Sequence, residues 1–337
     1  MAVGVRTRAI VLPSPRTAEV REITLPDLMA GEILVRTLYS GVSPGTERLI
    51  LTDRHPYSDI FPCVPGYQSI GVVEEVGAGV SDLNAGDRVL VRTSRLPDGL
   101  NGFWGGHLGR VITAAASVDR APEGLDPKEG ALFILACVGL HGVNMVGVNA
   151  GDLVVVVGQG LIGQMVAQVC RLRGAFVVAS DVNDFRVERS SKYSADVALN
   201  PGAADIESFI RAIKPNGADI VFEAIGMTAL VDWCVSLLRP KGQLCLTGYH
   251  TGDLSFLFSG ACAKEITVHF HQDIGGDDLR LAAVRLLLKQ HLRLAPLITH
   301  CFKSSDAAHA YELLLTQARD VLGIVIDWSD ENEPTGA

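Results

Sequence analysis

No run of four or more Lys or Arg occurs in the 337 residues, and 29 basic against 38 acidic side chains leave a formal charge of -9. A chain with that balance has no general attraction for nucleic acid or an anionic membrane. The seven cysteines, at 63, 137, 170, 234, 245, 262 and 301, include no closely spaced pair. They offer neither a disulfide framework nor a zinc knuckle, and free thiols suit a reducing compartment. Long hydrophobic runs are missing too. The longest apolar stretch, Ala131 to Val148, is interrupted by His141, Asn144 and three glycines, which reads as a buried helix rather than a membrane span. The opening MAVGVRTRAIVLPSPR has only a short apolar run before Pro13 and does not read as a signal peptide. A cytoplasmic protein is expected.

What is present is a globular composition, 48% apolar and 20% charged, rich in glycine with 35 residues. At ~150 residues per domain the length suggests two domains. The first 120 or so residues read as short strands, including 8–12, 32–40, 71–76 and 88–92, punctuated by Pro, Gly and Asp turns. That pattern predicts a compact β barrel or sandwich. Segments 43–66 and 93–107 show little periodicity, as loops lining a site often do. Near Pro122 the texture changes. Helices are expected over 127–135 and 139–146. Strands and helices then alternate through the apolar run 152–157, helix 161–173, strand 176–180 and helix 184–193 to about residue 275. This alternation predicts a parallel sheet covered by helices on both faces. Further helices are expected at 279–289 and 307–316, a closing strand at 322–327, and a loose acidic tail, SDENEPTGA.

The strongest local pattern is VVVVGQGLIGQMVAQV, in which Gly158, Gly160 and Gly163 form G-x-G-x-x-G between a strand and a helix. The first glycine permits the tight turn, the second leaves room for a pyrophosphate, and the third lets helix and strand approach. Leu161 and Ile162 open the helix whose free N–H groups would face the phosphates. Asp181 follows at the end of the next strand, about 20 residues on, where a carboxylate can accept the ribose hydroxyls and repel a 2'-phosphate. NAD is therefore the expected cofactor, tempered by Arg186, which can swing toward the same ribose. Alternatively, Asp181 merely caps helix 184–193.

With GYQSIGVVEEVGAGV at 66–80, AGDRV at 85–89, the glycine motif and HCFKSSDAAHAYELLL at 300–315, the chain resembles the medium-chain dehydrogenase/reductase family along nearly its whole length. The resemblance implies an α/β protein: a GroES-like β-barrel catalytic domain from 1–121 and 290–337, with a Rossmann NAD-binding domain, 122–289, inserted. It also implies that Glu223-Ala224-Ile225-Gly226 passes under the adenosine half, that Gly248 and Tyr249 approach the nicotinamide half, and that 267–271 is an edge strand pairing in a homodimer.

The departures from the family pattern carry the mechanism. Zinc members usually have Cys-Gly-Ser-Asp and Gly-His-Glu where this chain has Pro44-Gly45-Thr46-Glu47 and Gly66-Tyr67-Gln68. A one-residue shift places Ser43 at the cysteine position, and neither residue is a good zinc ligand. Cys137 remains at the third ligand position, but one thiol does not hold Zn2+. The four-cysteine lobe of structural-zinc members is absent, since residues 88–136 contain no cysteine. No metal is expected, so side chains must handle the substrate proton. Tyr67 either does this or fills the vacant metal cavity. Thr46 is a relay hydroxyl or an ordinary turn residue. Glu47 and Gln68 orient these groups or make interdomain contacts. His141, at the position of a family threonine near nicotinamide, is an acid–base group, a carboxamide anchor or a satisfied core histidine. His55, Phe103, Trp104 and His107 are candidate pocket residues.

The expected activity is zinc-independent, NAD(H)-dependent interconversion of a small-molecule secondary alcohol and its ketone in a biosynthetic pathway. The resemblance is strongest to the zinc-lacking branch near bacteriochlorophyllide hydroxyethyl dehydrogenases and biosynthetic sugar or cyclitol dehydrogenases. The alternatives are an enoyl or quinone reductase using NAD(P)H, and a dinucleotide-binding protein without turnover.

Overall fold

The computed structural model describes residues 4–56 and 59–331. The end of the acidic tail, 332–337, lies outside the described residues. The chain divides into two compact units, one formed by residues 1–134 and 298–337, the other by 135–297. The boundaries expected at 121/122 and 289/290 fall earlier on the chain. Among the described residues no helix is long and apolar enough to cross a membrane.

The first unit is built on a sheet in the spatial order Ile298–Lys303, Gly323–Asp327, Glu32–Val42, Ser69–Val76, Arg88–Val91, Val118–Arg120, with Arg110–Ala114 also pairing to Glu32–Val42. All pairs are antiparallel except Ile298–Lys303 with Gly323–Asp327. Inside it Ala9, Val11, Ile33, Val35, Val73, Val89 and Val111 form one buried cluster. Successive side chains point to opposite faces, and the neighbouring residues Ile10, Leu34, Leu90 and Ile112 are buried as well. A second cluster joins Ile50 and Leu51 to Tyr311, Leu314, Ile326 and Trp328, so the carboxyl-terminal segment completes this unit's core.

One expectation fails here, and one strand went unread. Segment 43–66 is not wholly irregular: Pro44–Leu51 is a helix, started by a proline, which has no N–H to lose at that position. Strand Glu19–Thr24, half exposed, carries too weak an alternation to be read from sequence.

The second unit holds six parallel strands in the order Val197–Leu199, Phe176–Ser180, Leu153–Val157, Ala218–Glu223, Leu238–Leu246, Thr267–Phe270. This is the doubly wound order whose reversal lies beside the first strand, the usual place for a ligand. Leu153–Val157 is buried at every residue, as its central position requires. The expected helices 127–135 and 139–146 are instead a short turn of helix, Pro127–Gly130, and one helix, Phe133–Val146. Gly139 does not break that helix: a Cβ there would lie 2.6 Å from the Met165 side chain, so the glycine serves close helix packing.

Candidate active site

In the first unit, the candidate proton-handling groups come together around the Tyr67 phenol. Tyr67 Oη donates to Ser43 Oγ at 2.6 Å and also hydrogen-bonds the Thr46 side chain. Both hydroxyls sit at the start of helix Pro44–Leu51, which is why one phenol reaches them together. Burial pushes the phenol up to about 12, with the nearby Glu47 charge adding to the rise, while the Ser43 and Thr46 hydrogen bonds oppose it. Tyr67 therefore remains a proton donor throughout the neutral range.

The ring of Tyr67 meets Trp104 edge-on at 5.2 Å, Trp104 meets Phe103 at 4.3 Å, and Phe103 meets His55 at 4.8 Å. Three candidate pocket residues thus form one aromatic line ending at the phenol. Trp104 holds φ at +68°, a left-handed conformation unfavourable for a bulky side chain. Its carbonyl accepts the Ser94 N–H, and the Gly105 carbonyl accepts the Ser94 hydroxyl, which pins the turn.

Two expectations need correction. His107 does not overhang a pocket; it is fully buried, 2.8 Å from Ser40 Oγ and 3.1 Å from Glu47 Oε2. The cause is the Gly105–Gly106 backbone, which pairs with Val64 and Gly66 and carries the next side chain inward. Gln68 does not orient Tyr67. Its Oε1 accepts the Ile134 N–H at 3.1 Å and its Nε2 donates to the Gly41 carbonyl, so both ends of the amide are engaged away from the phenol.

Whether this site would take the family's zinc can be tested on its donors. The phenol at the usual histidine position gives its proton to the serine at the cysteine position, and both are neutral hydroxyls. Cys137 is a buried residue of helix Phe133–Val146. Among the described residues no three His, Cys, Asp or Glu side chains come together as a metal-holding group. The two hydroxyls of the first unit do not fit Zn2+, which takes thiolate, imidazole and carboxylate.

The second unit carries the dinucleotide features. Gly158 has φ +89° and its absent Cβ would lie 2.4 Å from Ile225. A Cβ on Gly163 would fall 1.8 Å from the Gly158 carbonyl oxygen, whereas one on Gly160 meets nothing within 4 Å. The turn, the close packing and the open room for a pyrophosphate are thus all present, ahead of helix Leu161–Leu172, whose first residues are Leu161 and Ile162. Asp181 Oδ2 accepts the Gln159 N–H at 2.7 Å and Oδ1 accepts the Asn183 N–H, so this carboxylate ties the glycine loop to the next strand. Asn183 caps helix Asp184–Tyr193, so the capping alternative for Asp181 falls. Arg186 Nη1 lies 3.7 Å from Asp181 Oδ2, balancing its charge. These residues fit a dinucleotide.

The loops after Glu223 and Leu246 pack backbone to backbone. A Cβ on Gly226 would meet the Tyr249 carbonyl oxygen at 2.3 Å, and one on Gly248 would meet Gly226 N at 2.1 Å. Glu223, fully buried beside Ala224, accepts the Ile225 and Gly226 N–H groups and lies 2.8 Å from His250 Nε2. This pair was not anticipated from sequence, although an acidic residue closing an apolar strand signals a buried charge that needs partners. Nor was Val182, 77% exposed, which with half-exposed Ile225 presents apolar surface at the carboxyl ends of strands flanking the first. His141 is half-buried, with Nδ1 3.0 Å from both the Asp273 carbonyl oxygen and His271 Nε2.

The zinc-binding dehydrogenase family matches residues 162–287 and the alcohol dehydrogenase GroES-like domain family matches 29–118. The 2-desacetyl-2-hydroxyethyl bacteriochlorophyllide A dehydrogenase of Rhodobacter capsulatus is 30% identical over 329 residues, covering 96% of this chain and 99% of that protein. A protein of Sinorhizobium meliloti 1021 described as a zinc-binding dehydrogenase, solved bound to NADP, superposes with a TM-score of 0.84 at 23% identity over 96% of this chain and 99% of its own. A short chain alcohol dehydrogenase of Escherichia coli CFT073, complexed with NADH, gives 0.84 at 21% identity over 96% of this chain and 100% of its own. The structural likenesses carry the fold, and the curated relative, matched almost end to end, carries more: this chain belongs to the medium-chain dehydrogenase/reductase family of oxidoreductases.

Proposed function

We propose that the protein interconverts a secondary alcohol and its ketone with NAD(H) and without zinc, and that Tyr67 handles the substrate proton. The observation that carries this reading is the Tyr67–Ser43–Thr46 cluster at the positions where zinc members of the family hold their metal. A bound nicotinamide supplies or takes the hydride. In the reducing direction negative charge develops on the carbonyl oxygen, and the Tyr67 phenol is the group that gives it a proton. As the phenol yields its proton, the Ser43 hydroxyl turns its own toward Oη, and Thr46 adds a second hydrogen bond to the developing phenolate. The same hydroxyls lower the cost of the reverse transfer.

The cofactor residues in this reading are Gly158, Gly160, Leu161, Ile162 and Gly163 for the pyrophosphate, and Asp181 with Arg186 for the adenosine ribose. Val182, Ala224, Ile225 and Gly226 would lie along the adenine, with Gly248 and Tyr249 toward the nicotinamide. NAD is favoured because Asp181, although paired with Arg186, keeps carboxylate lone pairs where a 2'-phosphate would bring two more negative charges. The aromatic line from His55 through Phe103 and Trp104 to Tyr67 favours a flat apolar substrate. A hydroxyethyl group on such a frame is the substrate class we favour, in keeping with the name of the Rhodobacter relative. A second copy of the chain is the proposed partner, and the reducing cytoplasm, in a biosynthetic role, the proposed setting.

The test is to offer NADH with 2-acetonaphthone and with its α,β-unsaturated analogue, alongside metal analysis of the active protein. Reduction of the ketone, undiminished by chelator, is the expected result. Reduction of the enone alone would make this an enoyl reductase, and tight NADH binding without turnover on either compound or on an alcohol panel would make it a binding protein. Activity lost with zinc and regained on its return would overturn the mechanism.

A further inference from the structure

Behind Tyr67 lies a second layer of polar side chains that touches neither of the hydroxyls directly. Glu47, 1% exposed, collects three donors: the Ser43 N–H at 2.8 Å on Oε1, and the Tyr311 hydroxyl at 2.5 Å and His107 Nε2 at 3.1 Å on Oε2. The direction of each bond follows from chemistry. Trp328 Nε1–H can only donate, and it does so to Ser40 Oγ at 2.9 Å. The Glu47 carboxylate can only accept, so His107 Nε2 donates to it, and the other ring nitrogen, Nδ1, lies 2.8 Å from Ser40 Oγ. Two side chains from distant stretches, His107 and Tyr311, thereby meet on one carboxylate, with Ser40 and Trp328 behind His107, and all five residues are buried.

The same imidazole supports Tyr67 from the other side. Gly66, with φ +88°, lies so close to His107 that a Cβ there would meet the ring at 2.6 Å. The residue before Tyr67 is thus bedded on His107, while Ser43 hangs by its N–H from the carboxylate that His107 also holds. Both ends of the Tyr67–Ser43 hydrogen bond rest on one cluster.

We propose that Glu47, His107 and Tyr311 are positioning residues, a buried clamp that sets the 2.6 Å contact between Ser43 and Tyr67 and so aims the phenol. The proposal rests on Tyr67 as the proton-handling group. Tying up three donors on a carboxylate is a costly way to fill a core, since an apolar trio of the same volume would stabilise the unit at least as well. Its return is geometry, and a displacement of the order of 1 Å at a reacting group is enough to cost ~10^2-fold in rate.

The test combines geometry with kinetics. Glu47→Gln keeps the shape but replaces one acceptor oxygen by a donor amide, so the Ser43 N–H or the His107 Nε2–H loses its acceptor. The crystal structure of the NADH-loaded variant is expected to show Tyr67 Oη and Ser43 Oγ beyond hydrogen-bond reach, or Tyr67 in several conformers. With 2-acetonaphthone, kcat should fall ~10–10^2-fold while KM for NADH stays within about twofold. In a Tyr67→Phe background the same substitution should change kcat by less than about twofold, because the group it aims is gone. An unchanged Tyr67–Ser43 contact, or losses that multiply in the double variant, would overturn the proposal. If Glu47→Gln does not fold, Tyr311→Phe carries the same expectations at smaller size. The crystallographic arm needs no turnover, so failure of the ketone assay would count against the proposed reaction and leave the clamp to be judged on its geometry.

Discussion

His271 shows how one side chain can carry a pH signature. Burial first, and the neighbouring His141 second, hold its imidazole at about 4, against an ordinary 6.5. A base whose pKa is lower folded than unfolded binds its proton in the unfolded chain first, so stability falls as pH drops from about 6.5 toward 4 and is untouched above that window. Wild type should therefore lose about 1–2 kcal/mol more than His271→Gln between pH 7 and pH 4.5, read from urea unfolding at each pH. Parallel curves would remove His271 as the cause. Tyr67 argues in the opposite sense at the same scale. Its phenol is protonated through neutrality, so Tyr67→Phe should preserve NADH affinity by fluorescence titration and lower kcat by ~10^2-fold, the scale of lost proton transfer. The type of each of these residues was legible in the sequence, but not its company. Nothing in the order of residues says that His271 abuts His141, or that Ser43, discounted as a poor metal ligand, is the acceptor of the Tyr67 proton.

Among the elements, the glycine loop and the helix Leu161–Leu172 separate stability from binding most cleanly. Gly163→Ala drives a methyl group into the Gly158 carbonyl oxygen, so the unit should lose about 1–3 kcal/mol as the helix is pushed off its strand. Gly160→Ala meets no protein atom and keeps an ordinary backbone, so its melting temperature should match wild type. Its methyl group would occupy the room left for the pyrophosphate, and NADH should bind ~10-fold more weakly or worse, about 1.4 kcal/mol. Calorimetry paired with NADH titration on the two variants checks this contrast, and equal NADH affinity for Gly160→Ala and wild type would sink it. Strand–loop–helix units of this kind announce themselves through local pattern alone, which is why 153–193 was legible nearly residue for residue. Helix Pro44–Leu51 was not, because its apolar residues crowd into the last turn and its buried face includes a charged residue, Glu47, which only distant partners make acceptable.

On the scale of the molecule, the parallel sheet ends in strand Thr267–Phe270, whose outer edge is unpaired among the described residues. Near it in sequence Leu257 and Phe258 are exposed, as is Phe270 itself at 69%. An open edge with apolar neighbours invites a second strand, and a two-fold copy satisfies it without leaving a new edge. The protein should therefore sediment as a dimer, and Phe270→Arg should shift it toward monomer without changing the melting of the dilute chain by more than a few degrees. A wild-type monomer at micromolar concentration would refute the proposed partner.

Periodicity and punctuation, acting over a few residues, were enough to fix the class of each unit and the nucleotide loop, because those features are local in the chain. The buried cluster of Ser40, Glu47, His107, Tyr311 and Trp328 was decided only by folding. Its members come from nearly opposite ends of the chain, and a buried carboxylate is stable only where several donors from elsewhere arrive together.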